Sequence, residues 1–307
     1  MRRKFRIVIL SVLLLSLGGF LLFRYYSPKA HLEQRIVGLF GEDVPIALAI
    51  DTPYDPDNHH QTYKPFVTLI DPANGKVLTN GAGGFDSHHR GLFIGWSEVT
   101  GSKGTFDFWH MEGVSQRHAG WVQTATQETN GIHVQAVEWC NPDGEEWIAE
   151  TRTLSATRLD EGLCAVDFQS NLRAVNEDLE LRGDPHHAGM HVRLPNEVCF
   201  HYWTTEYLLP EGATRLEDDC VEGAWWVRCS AMIGGNRYSL VHLTHPKGFE
   251  KPPIYSIRRY GRFGAFFEPD LKRGELETFR FRVVYGRGEI SSDDCRRLYE
   301  DFAHRLR

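Results

Sequence analysis

This sequence predicts an all-β fold built from antiparallel sheets, on three observations. Apolar residues recur at every second position in several separate stretches, and clusters of Gly, Pro, Asn and Asp stand between those stretches. No helical period separates successive strands. Strands joined this way pair with near neighbours into an antiparallel sandwich or barrel, whereas a parallel βαβ fold needs a helix between each pair.

The chain opens with something different. Arg2, Arg3, Lys4 and Arg6 precede an apolar run from Ile7 to Phe23, and Arg24 and Lys29 follow it. At 17 residues, the run has the minimum length for a helix across a ~30 Å hydrocarbon core. The heavier positive charge ahead of it keeps the N-terminus cytoplasmic and exports the rest. A cleaved signal peptide is the alternative, with Ser16, Leu17 and Gly18 as small residues for cleavage, although Phe20–Phe23 carries the apolar run past them. Residues 1–30 thus read as a membrane anchor or signal segment, touching the bilayer through residues 7–23. Residues 31–307, with no repeat or linker, read as a single domain on the periplasmic or extracellular side.

Within that domain the strands are explicit. Ile132, Val134 and Ala136 alternate with His133 and Gln135, and Cys164, Val166 and Phe168 alternate with Ala165, Asp167 and Gln169. Val241 and Leu243 alternate with Leu240, His242 and Thr244, and Phe279, Phe281, Val283 and Tyr285 with Arg280 and Arg282. The turns fall at Asp71–Gly75, Asn141–Gly144, Gly234–Asn236 and Lys272–Gly274. One short helix closes the chain. Ser291, Ser292, Asp293 and Asp294 supply its cap and acidic first turn, and Leu298, Phe302 and Leu306 recur along one face.

Six of the 34 Lys and Arg lie in residues 1–30 and none of the 41 acids does, so the domain holds 28 bases against 41 acids, a formal charge of −13. Phosphate contacts need clustered cations, which excludes a nucleic-acid partner. The six cysteines include no Cys-x-x-Cys and sit in strand-like segments. They read as buried thiols, with Cys220 and Cys229, across a hairpin, as the best disulfide pair.

The fifteen histidines are unevenly spread. His59-His60, His88-His89 and His186-His187 are adjacent pairs, with His110, His118, His191 and His201 nearby in sequence. Gly83–Arg90 is a glycine-flanked polar loop before an apolar strand, a usual place for binding or catalytic groups. Phe106–His110 embeds an acid and an imidazole among aromatics. If the chain is extended from His187, then His187, Gly189, His191 and Arg193 share one face and suit an anionic or hydroxyl-rich substrate. Imidazoles titrate near neutrality and can serve as acid and base on a sugar. Alternatively, three or four can bind a transition metal, although no dense ligand motif is present. Eight tryptophans can stack on sugar rings or fill the core.

The stretch Asp86-Ser87-His88-His89-Arg90-Gly91-Leu92-Phe93, then Asp107-Phe108-Trp109-His110, resembles the Asp-His-x-His-His-Arg-Gly-Leu and Asp-Phe-Trp signatures of an uncharacterised family. Its members, of planctomycete and Bacteroidetes type, are often labelled "methane oxygenase PmoA". His245-Pro246, Arg259–Phe263 and Phe281–Gly288 agree, and Asp86-Ser87 departs from the family's Asp-His-Pro opening. The resemblance implies a β-sandwich often encoded among polysaccharide-degradation functions. A weaker likeness, from Phe267-Glu268-Pro269 to Gly274-Glu275, is to galactose mutarotase-like proteins. It implies a mutarotase-like supersandwich with Glu268 as a base.

Together these readings give an exported, membrane-tethered carbohydrate-active protein, an enzyme of epimerase, lyase or hydrolase type. His88, His89, Arg90, His187 and His191 are the leading site residues, with His110 and Glu268 behind them. No cofactor is assigned. A typical glycosidase needs two flanking carboxylates, and no such pair stands out, which favours epimerisation or elimination. The alternatives are a non-catalytic glycan-binding module and the metal-dependent oxidoreductase suggested by the family label.

Overall fold

The computed structural model describes residues 36–40, 45–124 and 131–304. The N-terminal apolar run and Leu306 lie outside the described residues. Among the described residues, no helix is long and apolar enough to cross a membrane.

Two large antiparallel sheets dominate. The first runs Ile36–Phe40, Pro45–Ile50, Phe66–Asp71, Leu92–Trp96, Ala188–Arg193, Arg262–Phe266, Ile254–Arg258, Cys220–Glu222 and Thr214–Arg215, and Lys76–Val77 pairs with Phe66–Asp71. The second runs Glu206–Leu208, Trp226–Ile233, Asn236–Thr244, Glu277–Arg287, Cys164–Ala174, Glu146–Arg158, His133–Cys140 and Ser115–Gln123. A small sheet joins Asp270–Leu271, Leu179–Arg182, Glu98–Gly101 and Gly104–Phe106.

The predicted alternation explains the sandwich. Leu92, Ile94, Met190, Val192, Phe263 and Ala265 of the first sheet join Val166, Phe168, Leu240, Phe281 and Val283 of the second in one buried cluster. Apart from Ala265, each such side chain contributes about 1.5–3 kcal/mol on burial. The closing helix, Ser292–His304, covers the outer face of the second sheet, where Cys295 and Phe302 pack with Ala165, Val241, Leu243 and Val284. The Ser291 hydroxyl caps it by accepting from the Asp294 N–H at 3.1 Å. That cover is why Tyr238–Thr244 is buried at every position, not every second one.

Two expectations need correction. On His133–Cys140 the buried face is His133, Gln135, Val137 and Trp139, while Ile132 is exposed and Val134 and Ala136 are half-buried. Trp139, whose Nε1–H donates to Glu150 Oε2 at 2.9 Å, and Val137 set the phase of the strand. Gln135 is accommodated inside because its Nε2 bonds to His118 Nδ1 at 2.7 Å. The cysteine pair is the second. All six thiols are free, and Cys220 and Cys229 are not hairpin partners: Cys220 lies in the first sheet and Cys229 in the second.

Candidate functional site

The site is built on the outer face of the first sheet. Because Leu92, Ile94, Met190, Val192, Phe263 and Ala265 point into the core, the intervening Phe93, Gly95, Gly189, His191, Arg193, Arg262 and Gly264 point outward. The register places Gly189 opposite Gly95, His191 opposite Phe93 and Gly264, and Arg193 opposite Arg262. The glycines let backbone approach this floor. A Cβ on Gly95 would lie 2.4 Å from the Phe108 carbonyl oxygen, and one on Gly189 1.9 Å from that of Ala265.

Onto this floor settles Trp109, fully buried. Its ring lies 4.8 Å from that of His191, 5.7 Å from His89, 5.0 Å from Phe93 and 6.3 Å from His187, centroid to centroid. The His88 ring lies tilted against His89 at 4.0 Å and against His110 at 4.7 Å, and His110 lies 5.0 Å from His187. Segments more than 70 residues apart in sequence thus bring His89, His187 and His191 around one indole, with His88 and His110 packed beside them.

Three of these histidines sit in the same local device, an aspartate three residues ahead of the imidazole. In Asp107–His110, Asp107 Oδ1 accepts the Trp109 and His110 backbone N–H groups at 2.9 and 2.8 Å, and Oδ2 accepts His110 Nδ1–H at 2.7 Å. In Asp184–His187, Asp184 Oδ1 accepts the His186 N–H at 2.8 Å and Oδ2 accepts His187 Nδ1–H at 2.7 Å. An ionised carboxylate can only accept, so both imidazoles carry a proton on Nδ1 and leave Nε2 as the nitrogen that can take or give a proton. Burial pushes both aspartates up, but the hydrogen bonds from the histidines outweigh it and hold each carboxyl below its usual range. Asp86–His89 repeats the spacing more loosely, with Asp86 Oδ2 at 3.9 Å from His89 Nδ1.

His88 and His89 are electrostatically distinct from this pair. Burial first, then the charges of Lys64, His110, Arg262 and His187, lower the pKa of His88 to about 3. Burial, with His88, Arg262, Lys64 and Arg193, drives that of His89 well below its usual value. Both rings are neutral at physiological pH. Neither ring nitrogen of His89 has a hydrogen-bond partner among the described residues.

The remaining sequence candidates play other parts. His191 is fully buried, donating Nε2–H to the Ala188 carbonyl at 3.0 Å and accepting from Arg262 Nη1 at 3.1 Å, so it positions Arg262. Arg90 is also fully buried and donates to the carbonyls of Ser87, Gln61 and His60 with its guanidinium 4.0 Å over the Tyr63 ring. It pins the His88 loop to the helix His59–Thr62. Glu268 is exposed in a separate depression with Phe249, Pro253 and Phe279, and touches none of the histidines.

Beside His187 opens a depression of about 510 Å³, walled also by Tyr202, Arg258, Arg259, Tyr260 and Arg262. Tyr202 on its wall is 51% exposed, and Trp203, 64% exposed, lies 5.6 Å from it, ring to ring. Phe85 and Phe200, 61% and 60% exposed, sit 6.1 Å apart. Beneath the cluster, burial and the neighbouring Arg90 push the Lys64 amine well below its usual range. Among the described residues, no three His, Cys, Asp or Glu side chains are grouped to hold a metal ion.

Asp107, Asp184, Trp109, Tyr260, Arg262 and Lys64 were not among the sequence candidates. The recurring Asp-x-x-His spacing at 86/89, 107/110 and 184/187 is the signal that points to the two aspartates. Lys64 and Arg262 carry no comparable signal, since each reads as an ordinary strand-end cation.

No curated protein matches the chain. Among solved structures, 87% of this chain aligns with 34% of a polysaccharide lyase at 12% identity and a TM-score of 0.39. A GH36 α-galactosidase from Geobacillus stearothermophilus aligns over 83% of this chain and 41% of its own, at 10% identity and TM-score 0.41. A GalM/aldose epimerase homologue from C. elegans aligns over 84% of this chain and 100% of its own, at 9% identity and TM-score 0.40. The chain thus spans well under half of the first two structures. The sequence pattern of a family of unknown function (DUF6807) fits residues 47–300, and the chain belongs to that family.

Proposed function

We propose that this protein is a carbohydrate-active enzyme that moves protons to and from a hydroxyl-rich substrate, with His110 and His187 as the acid and base. The observation that carries the reading is the pair of facing imidazoles, each held from behind by an aspartate, so that two Nε2 atoms are left for chemistry. A carboxylate behind an imidazole fixes its tautomer and stabilises the imidazolium formed when Nε2 takes a proton. Rings 5.0 Å apart leave no room for a sugar between them, so the two Nε2 atoms act side by side on one edge of the substrate. With one unprotonated and the other protonated, they remove one proton and deliver another, as elimination or anomeric epimerisation needs. Tyr202, exposed on the wall of the depression, and Trp203 beside it offer faces on which a sugar ring stacks. The two large antiparallel sheets support a mutarotase-like supersandwich as part of this reading.

The test is a panel of mono- and oligosaccharides incubated with the full chain in deuterated water and followed by NMR. Deuterium entering a carbon-bound position, or a new epimer or unsaturated product, supports the reading. Binding by the panel without exchange or turnover overturns it in favour of a glycan-binding module, the second reading that the exposed aromatics favour.

The same proposal places the domain outside the cytoplasm, tethered by residues 7–23, on the strength of the cation-flanked apolar run. Fractionation with protease accessibility on intact cells tests it. Recovery in the soluble cytoplasmic fraction would sink the tether.

A further inference from the structure

We propose that the sugar taken at this site carries an anionic substituent, a carboxylate or a sulfate, held by Arg262 and Arg259. The inference rests on the carbohydrate reading above and deepens it. Its starting point is an imbalance of charge in the depression beside His187. Three arginines line it, Arg258, Arg259 and Arg262, with a single acid, Asp219. Asp219 is spent on Arg258, lying 3.5 Å from its Nη1, and Asp218 binds the same nitrogen at 3.1 Å. Arg258 is therefore neutralised, and the other two are not.

Arg262 is the more telling of the pair. It is 1% exposed, yet no carboxylate lies within ion-pair distance of it among the described residues. Its Nε–H donates to the Tyr260 hydroxyl at 2.9 Å, and Nη1 to the His186 carbonyl at 2.7 Å and to His191 Nδ1 at 3.1 Å. Nη2 has no hydrogen-bond partner among the described residues. A guanidinium fixed on two of its three nitrogens, with the third unspent on a cavity wall, is pre-organised for an anion. Behind it Arg193 is fully buried and bonded only to neutral groups, the carbonyls of Leu194 and Tyr260, Asn196 Oδ1 and Cys199 Sγ. Buried cations without a counter-charge are costly, and an anionic ligand supplies what the protein leaves out.

The neighbouring carboxylates do not offset this field freely, because Asp107 and Asp184 are each turned onto an imidazole. Arg259 stands exposed on the same wall, with no ion pair among the described residues. The concentration is local, in a chain whose formal net charge is −7.

Calorimetric titration of the full chain tests this with three probes: a glucuronate-containing oligosaccharide, the same oligosaccharide with its carboxyls reduced to alcohols, and the reduced form bearing sulfate. The expected result is at least about tenfold tighter binding of an anionic form than of the neutral one, weakening as salt is raised. Which anion binds more tightly identifies the substituent. Arg259→Gln, at an exposed position that leaves the fold intact, is expected to remove most of the preference. Equal binding of neutral and anionic forms overturns the proposal and leaves the carbohydrate reading standing. Binding of none of the three overturns both.

Discussion

His110 and His187 face each other with ring centroids 5.0 Å apart and planes inclined by 37°. They come from loops 77 residues apart in sequence, and each turns the same nitrogen onto an aspartate three residues earlier. The arrangement repeats because the same short turn does the work twice. One aspartate oxygen caps the backbone and the other orients the ring.

Removing the orienting charge without removing the cap tests that device. Asp107→Asn and Asp184→Asn keep an oxygen for the backbone N–H groups but present a neutral group to the imidazole. Each is expected to lower kcat by about 10²–10⁴-fold with little change in KM, measured by steady-state kinetics on a substrate from the panel. Undiminished turnover in both variants would remove the dyads from the mechanism.

Arg90 is predicted to matter for stability. Its guanidinium satisfies three backbone carbonyls from two segments and covers the Tyr63 ring. Arg90→Ala strands those acceptors in a buried place and is expected to cost about 3 kcal/mol or more, read as a shift in the urea unfolding midpoint. Arg90→Lys should recover only part of it, because an ammonium cannot fork to the same carbonyls. A midpoint unchanged by the alanine variant would refute this role.

Acid is expected to destabilise the fold before any carboxylate titrates. The pKa values of His88 and His242 are lowered to about 3, burial being the first cause for both. Their folded values lie below the unfolded value near 6.5, so the unfolded chain binds more protons between those limits. Stability is then full above pH ~6.5 and falls as pH drops below it, by about 2 kcal/mol per histidine at pH 5. Thermal unfolding from pH 7.5 to 4.5 measures it. A melting temperature that stays flat down to pH 5 contradicts the assignment.

The exposed rim should separate binding from stability. Tyr202→Ala and Trp203→Ala are each expected to weaken sugar binding about three- to tenfold while changing the unfolding free energy by no more than about 0.5 kcal/mol. Affinity by titration calorimetry and stability by denaturation, on the same preparations, make the comparison. Unchanged affinity in the double variant would take the rim out of the site.

The strand pattern was legible because it is local. Cys164, Val166 and Phe168 face the core as their alternation says, and Ser291 caps the closing helix as its residue type says. Where the reading went astray, a distant contact decided. Val137 and Trp139 set the phase of their strand against Val134 and Ala136, through an indole hydrogen bond to Glu150 on the next strand. Cys220 and Cys229 looked like hairpin partners by spacing, but they lie in different sheets. The site shows the same division. Clustered histidines near glycine were visible as residues, whereas Arg262 and Lys64 were visible only as cations.

The sequence by itself therefore determined the antiparallel class, the closing helix, the cation-flanked apolar opening and which loops hold the imidazoles. Each of those is set by residue type and spacing over a few positions. The tertiary structure alone decided that loops around residues 88, 110 and 187 meet over Trp109, and that Arg90 and His191 support the site from within while Glu268 stands apart. Those outcomes depend on strand register and on which face each strand turns outward, and both are fixed by packing between segments far apart in the chain.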